Sequence, residues 1–385
     1  MNFALSEEQQ LIRETIHNFV VRECSRDSVK KMDENREYPA GLFSTIQTMG
    51  FCGLIVPEEF GGGGPDTMGA VLVVEELAAL YPSLAAIFIA STFCGGNIIS
   101  SLGSQDQKKR LLPEIVDKAS LFAYALRESD DAYGQFSART RAVASGNGFV
   151  LSGTKVGVRL ADRADYYLVL ANTDPEKDPE QGLTVFIVDS KKKGITVRPT
   201  DKVGFDSITI GAVEFNNVAL DASDVLGGPE MINRGWPQLQ RIMESENLEV
   251  AGVALGMAQG AYEYATRYAK DRVQFGKPII DFGAVRHMLA DMAIQIKGAR
   301  LIAYQAAWLN DKGENPAIES VMARYHAVGA ASAAALNCVQ VLGGYGYARE
   351  YDAQRYLRDA VVMLTGGESV EVIKENIAKS LALEA

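Results

Sequence analysis

The chain is predicted to be α+β and mostly α. An N-terminal helical domain is expected over residues 1–120, a central β-barrel or sandwich domain over 121–228, and a C-terminal four-helix bundle over 229–385. Three observations carry this. Apolar spacing is helical up to about Lys118, becomes two-residue alternation from about Leu121 to Asn217, and returns to long helical runs from about Glu230. Turn residues punctuate only the middle stretch at short intervals. The length of 385 residues and the apolar share of 47% are enough for several packed layers.

In the first region, Ser6 with Gln9 and Ser104 with Gln107 have the spacing of capping boxes. Gly50 and Gly103 follow helical runs as stops. Val56 to Pro65 is read as a loop, because its glycines and prolines defeat both regular periods. In the middle region, Tyr167, Val169 and Ala171 alternate with Tyr166, Leu168 and Leu170, and Leu183, Val185 and Ile187 repeat the pattern. Ser145 to Gly148 and Thr173 to Pro175 supply turns between such runs. In the last region, one face collects Val250, Val253, Met257, Ala261, Tyr264 and Tyr268. A second collects Val285, Met288, Met292, Ile296, Ala299 and Ala303, and a third Ile318, Val321, Tyr325, Val328, Ala335 and Leu342. Runs of this length pack as an antiparallel bundle, with apolar surface left over for another subunit. A β module wedged between two helical parts leaves a cleft, where cofactors commonly bind.

Composition excludes several classes. A net charge of -11 argues against a nucleic-acid partner. Cys24, Cys52, Cys94 and Cys338 are scattered, as are His17, His287 and His326, so no metal site is expected. Leu84 to Ala90 is too short an apolar run to span a bilayer, and no secretory signal is read near Met1. A reducing, cytoplasmic setting is expected.

The order of these regions and five segments resemble the acyl-CoA dehydrogenase family over essentially the whole chain. The segments are Met49 to Gly62, Gly153 to Lys155, Asp271 to Ile279, Gln340 to Gly346 and Arg358 to Ala360. The resemblance implies that fold, an FAD cofactor and oxidation of an acyl-CoA between its α and β carbons, or the reverse enoyl-CoA reduction. Branched, cyclic and dicarboxylic acyl groups are all left open. It also implies a homo-oligomer, in particular a tetramer, and an electron-transferring flavoprotein as redox partner. The chemistry needs a carboxylate base in an apolar pocket and stabilisation of charge on the thioester oxygen.

Carried over residue by residue, Arg272 and Phe275 match positions that hold the FAD diphosphate and adenine across a subunit interface, and Gln340, Gly343 and Gly344 match the turn that closes on the diphosphate. A forked guanidinium and glycine N–H groups suit phosphate oxygens. At the flavin ring the chain departs from the pattern. After the first strand it reads Arg127-Glu128-Ser129-Asp130-Asp131, with Arg127 in place of a threonine, and later Gly157-Val158-Arg159, with Gly157 in place of a tryptophan and Arg159 in place of a small hydroxyl residue. Arg127, Arg159, Asp130 and Asp131 are therefore candidate substrate-binding residues. Three accounts compete for the two arginines: stabilising an anionic reduced flavin, binding an acidic acyl group, or filling a vacated flavin pocket by pairing with Asp130, Asp131 or Glu128.

The catalytic base is displaced as well. The usual glutamate position after Arg-Asp-Ala is Gly367, followed by Glu368. Some branched-chain members carry the base on the long helix just before an arginine. That position is Glu246, with Asn247 in place of the arginine. Glu246 is the first candidate for α-proton abstraction and Glu368 the second. Two other readings remain open: a flavin-poor relative doing hydration, elimination or hydrolysis on an acyl-CoA, and a non-catalytic partner subunit of a hetero-oligomer.

Overall fold

A computed structural model describes residues 4–129, 136, 139–366 and 369–383, apart from the side chains of 179 and 383. The fold is the helix–sheet–helix sandwich expected from periodicity. Seven helices come first: α1 (Glu7–Glu23), α2 (Arg26–Glu34), α3 (Ala40–Thr48), α4 (Thr67–Leu80), α5 (Pro82–Ser91), α6 (Ile98–Leu102) and α7 (Gln105–Lys118). Ser6 and Ser104 cap α1 and α7 as full capping boxes. Val56 to Pro65 is irregular apart from one tight turn at Glu58–Phe60.

A π-helical segment, Thr92–Asn97, joins α5 to α6 without a break. The resulting run, Pro82–Leu102, is long and apolar enough to cross a membrane by composition, which corrects the expectation from Leu84 to Ala90 alone. Its most apolar window is 94% buried inside the protein, the position of a core helix. Such single-turn widenings often sit at functional sites, and this one borders the cavity described below.

The central sheet holds β1 (Phe122–Ala125), β2 (Arg141–Ser145), β3 (Gly148–Arg159), β4 (Tyr166–Asn172), β5 (Leu183–Asp189), β6 (Ile195–Pro199) and β7 (Ile210–Asp221), with a short helical turn, α8 (Pro179–Gly182), between β4 and β5. Its order is β1-β4-β2-β3-β7-β6, and β5 pairs antiparallel with β4. Alternation sorts its side chains between two cores. Tyr167, Val169 and Ala171 join Phe186, Val213 and Phe215 in a core enclosed by the curled sheet. Leu168, Leu170, Val185 and Ile187 belong instead to the large core shared with the helices. The β3–β7 register shifts between Leu151 and Gly153 and again between Lys155 and Val158. The second shift lets Gly157 take a φ of +67° and re-aims the end of β3.

The C-terminal part is α9 (Gly235–Asp271), α10 (Gly283–Asp311), α11 (Ala317–Leu342), a short turn α12 (Gly344–Tyr347), α13 (Ala353–Thr365) and α14 (Val370–Leu383). A small hairpin of β8 (Val273–Gln274) and β9 (Lys277–Pro278), hidden from a helical reading, separates α9 from α10. Helix α9 crosses the molecule against α4, α10 and α11. Tyr325, expected on an inward face, is 41% exposed.

A buried ion pair ties the segment after β1 to β3. The Lys155 ammonium is fully buried and donates to Glu128 at 2.7 Å and to the Leu126 carbonyl at 3.0 Å. Glu128 also accepts from the N–H groups of Arg139 and Thr140. Burial alone would raise the Glu128 pKa, but the Lys155 charge and the Thr140 hydrogen bonds outweigh it and leave the carboxyl below its ordinary range. A depressed carboxyl pKa contributes stability above the unfolded value of about 4.3 and loses it as pH falls through the folded value. Glu128→Gln is expected to destabilise by about 3 kcal/mol at neutral pH. It should also narrow the difference in thermal midpoint between pH 7 and pH 3, read by calorimetry.

Candidate active site

Between the sheet and the helices lies a cavity of about 580 Å³. Its inner wall is apolar: Ala86, Ile89 and Ala90 from α5 face Val250 and Val253 from α9. The two alanines leave width that larger side chains would close. Its polar lining includes Arg127, Arg159 and Glu246, with Gly157 from β3 and Thr365 and Gly366 from the end of α13.

Helix α9 positions Glu246 because its apolar face anchors it over many turns, with Ser245, Leu248 and Val250 buried around that residue. Glu246 itself is half-buried and lines the cavity. Asn247, one residue on, is buried and accepts from the Arg324 guanidinium at 3.0 Å. Arg324, on α11, also donates to the Gly366 carbonyl at 2.6 Å. The guanidinium missing from position 247 is thus supplied by a different helix, and it ties α9 to the segment after α13.

Arg127 and Arg159 both line the cavity. Glu128 is taken by Lys155. Asp130 and Asp131 lie outside the described residues, as does Glu368. Arg127 lies over the Phe136 ring at 4.1 Å from its centroid. One of its guanidinium nitrogens is buried with no hydrogen-bond partner among the described residues. Arg159 pairs with Glu249 at 3.1 Å.

Glu249 was missed by sequence reasoning. It is fully buried and accepts from the Tyr124 hydroxyl at 2.9 Å and from the Ser245 hydroxyl at 3.2 Å. Burial is the main cause that raises its pKa, to about 7, against the lowering effect of Arg159; the Glu246 charge adds to the rise. The available signal was a lone acid between Leu248 and Val250 in a run of buried apolar residues.

The remaining candidates form a second group that does not line this cavity. Arg272 caps α9 beside the β8–β9 hairpin and lies over the Tyr345 ring at 5.4 Å, next to the exposed turn of Gly343 and Gly344. Phe275 is 92% exposed with a φ of +50°, and Gln340 is exposed at the end of α11. The structure brings Arg272 and the glycine turn together through Tyr345.

A cavity lined by apolar side chains together with a carboxylate and two guanidinium groups can hold a small apolar group beside a polar or charged one. The three domains of the acyl-CoA dehydrogenase family, N-terminal, middle and C-terminal, match residues 6–119, 123–218 and 233–382. A probable acyl-CoA dehydrogenase, YngJ of Bacillus subtilis, is 31% identical over 99% of this chain and 100% of its own length. The caffeyl-CoA reductase–Etf complex subunit CarC of Acetobacterium woodii is 30% identical over 98% of this chain and 99% of its own length. Butyryl-CoA dehydrogenase from Megasphaera elsdenii superposes with a TM-score of 0.94 at 29% identity, covering 99% of this chain and all of that one. The chain belongs to the acyl-CoA dehydrogenase family, a family of oxidoreductases.

Proposed function

We propose that the protein is an FAD-dependent oxidoreductase that interconverts an acyl-CoA and its α,β-unsaturated counterpart, with Glu246 moving the α-proton. The observation that carries the reading is that Glu246 lines the same cavity as the apolar side chains of α5 and α9 and as Arg127 and Arg159.

The residues present fit a flavin. A Cβ at Gly157 would meet nothing within 4 Å, so the surface beside β3 is open where an indole would otherwise stand. The Arg127 nitrogen that has no partner among the described residues suits an acceptor at the same cavity. Arg272 and the exposed glycine turn, where Gly343 has a φ of +60°, suit the diphosphate. A flavin held there would supply the hydride acceptor for the β carbon. The chain's own residues do the rest. Glu246 takes the α-proton in the forward direction and returns it in reverse. The chamber of Ala86, Ile89, Ala90, Val250 and Val253 holds the acyl group away from water. Its width, and the base placed on α9 rather than after α13, favour a short branched or aryl-bearing acyl group. The name of the caffeyl-CoA relative points the same way.

Self-assembly as a homotetramer accounts for surface that a monomer leaves wet. Ile294, Leu301 and Trp308 are spaced every seven residues along α10 and are 70%, 42% and 49% exposed; Leu336 on α11 is 60% exposed. Electrons then pass to an electron-transferring flavoprotein, a partnership named in the Acetobacterium relative. The four cysteines are free and buried, which supports the cytoplasm as its setting.

The test is a visible spectrum of the FAD-reconstituted protein followed by anaerobic addition of isobutyryl-, 2-methylbutyryl- and phenylpropionyl-CoA. Bleaching of the flavin band by one of them supports the proposal. A protein that stays colourless with added FAD, or adds water to an enoyl-CoA without an electron acceptor, overturns it. Arg272→Ala is expected to weaken FAD binding about 10- to 100-fold, the worth of one charge-assisted forked contact. Fluorescence titration of the apoprotein measures it.

A further inference from the structure

The ion pair between Arg159 and Glu249 has no part in the proton transfer assigned above, yet it joins a cavity-lining guanidinium to a fully buried carboxylate. Arg159 lies at the end of β3, two residues beyond Gly157, and its side chain remains 28% exposed toward the mouth. Glu249 sits behind it with no exposure at all. Every element packed around the carboxylate contributes a group: Arg159 from β3, Tyr124 from β1, Cys94 at 3.9 Å from the π-helical segment, and Ser245 and Glu246 from α9. Asn97 donates to Ser245 at 3.0 Å and fixes that hydroxyl in turn. A guanidinium on a flexible stem loses its orientation unless something holds it. Here the holder is itself a titratable group fixed by two hydroxyls.

We propose that Glu249 is a positioning residue that holds the Arg159 guanidinium at the flavin-ring end of the cavity and, by gaining or losing a proton, sets how much positive charge the ring meets. The proposal rests on the flavin reading given above. The physical argument is electrostatic. Two-electron reduction leaves negative charge on the ring, and nearby charge is one of the means by which a protein tunes a flavin. With Glu249 protonated, Arg159 presents its full charge and favours the reduced form. With Glu249 ionised, the pair is neutral as seen from the ring and that advantage fades. The enclosure keeps the effective dielectric low, so the difference is felt at the mouth. Burial is the main influence on the Glu249 pKa, at about 7, so the change falls in the neutral range.

The experiment measures the midpoint potential of the bound flavin in the holoenzyme from pH 6 to pH 8.5, by dye equilibration, in the wild type, Glu249→Gln and Arg159→Gln. The wild-type potential is expected to fall more steeply with pH than that of Glu249→Gln. At pH 8, Glu249→Gln should favour the reduced form about tenfold more than the wild type, which is about 30 mV for a two-electron couple. Arg159→Gln should lie below the wild type at pH 6. Coincident curves for the wild type and Glu249→Gln overturn the proposal. If Glu249→Gln does not retain FAD, Arg159→Gln decides: an unchanged potential at pH 6 overturns it, and a lowered one supports it. A wild type that takes up no FAD overturns the flavin reading itself, an outcome visible before any potential is measured.

Discussion

Replacing Glu246 by glutamine should lower kcat of the FAD-loaded enzyme by about a thousandfold while leaving the flavin spectrum unchanged. Positioned general bases contribute roughly 10²–10⁴ in rate, and glutamine keeps the shape but loses the basic oxygen. The loss should fall on kcat rather than KM, because the acyl group is held by Ala86, Ile89, Ala90, Val250 and Val253, which the substitution leaves alone. Glu368→Gln is the matching comparison and should retain most of the activity. If Glu368→Gln collapses turnover and Glu246→Gln does not, the base lies after α13 and the argument from α9 fails. The pH profile carries a second check. Glu249 lies one turn from Glu246, and the Glu246 charge helps burial raise its pKa to about 7, so a buried acid titrates beside the base in the neutral range. Glu249→Gln should therefore shift the acid limb of that profile, whereas a distant surface acid should not.

Much of the architecture could be read from residue spacing. The capping boxes at Ser6 and Ser104, the alternation along β4 and β5, and the apolar face of α9 all depend on local periodicity, and each appears where it was expected. At the candidate site, residue types were legible where they broke a pattern. Arg127, Arg159 and Glu246 stand together at one cavity, as their odd placement in the sequence suggested. Their partners were not legible. Arg159 finds Glu249 across 90 residues of sequence. That pairing is set by the register shift around Gly157 and by the hydrogen bond from Tyr124 on β1 to Glu249 on α9, neither of which leaves a periodic mark. The exchange between Asn247 and Arg324 is hidden for the same reason, since two helices contribute to one contact. The β8–β9 hairpin is only two residues deep on each side and cannot show alternation.

The largest loss of stability should come from a glycine that no chemistry touches. Gly252, Gly256 and Gly260 recur every fourth residue on α9 and face α4. A Cβ at Gly260 would stand 1.8 Å from the Ala79 carbonyl oxygen, and one at Gly256 would stand 2.3 Å from that of Glu75. Both obstacles are backbone, so no rotamer change relieves them. Gly260→Leu must push the helices apart, and it also disturbs the bond from the Tyr356 hydroxyl to the Ala79 carbonyl, 2.7 Å long, that locks α13 to α4. Overpacking costs typically 1–3 kcal/mol, occasionally more, and a leucine against backbone belongs at the upper end, about 3 kcal/mol or beyond. The consequence reaches the site, because α9 carries Glu246 and α5, joined to α4 through Tyr81, carries Ala86 and Ala90. Gly260→Leu should therefore lower the thermal midpoint and the retained FAD together. Gly41→Ala is the control: it sits exposed in α3 with nothing within 4 Å of its Cβ position, and it should gain up to about 1 kcal/mol from helix propensity. If Gly260→Leu melts with the wild type, the close approach of α4 and α9 does not hold the cavity wall in place.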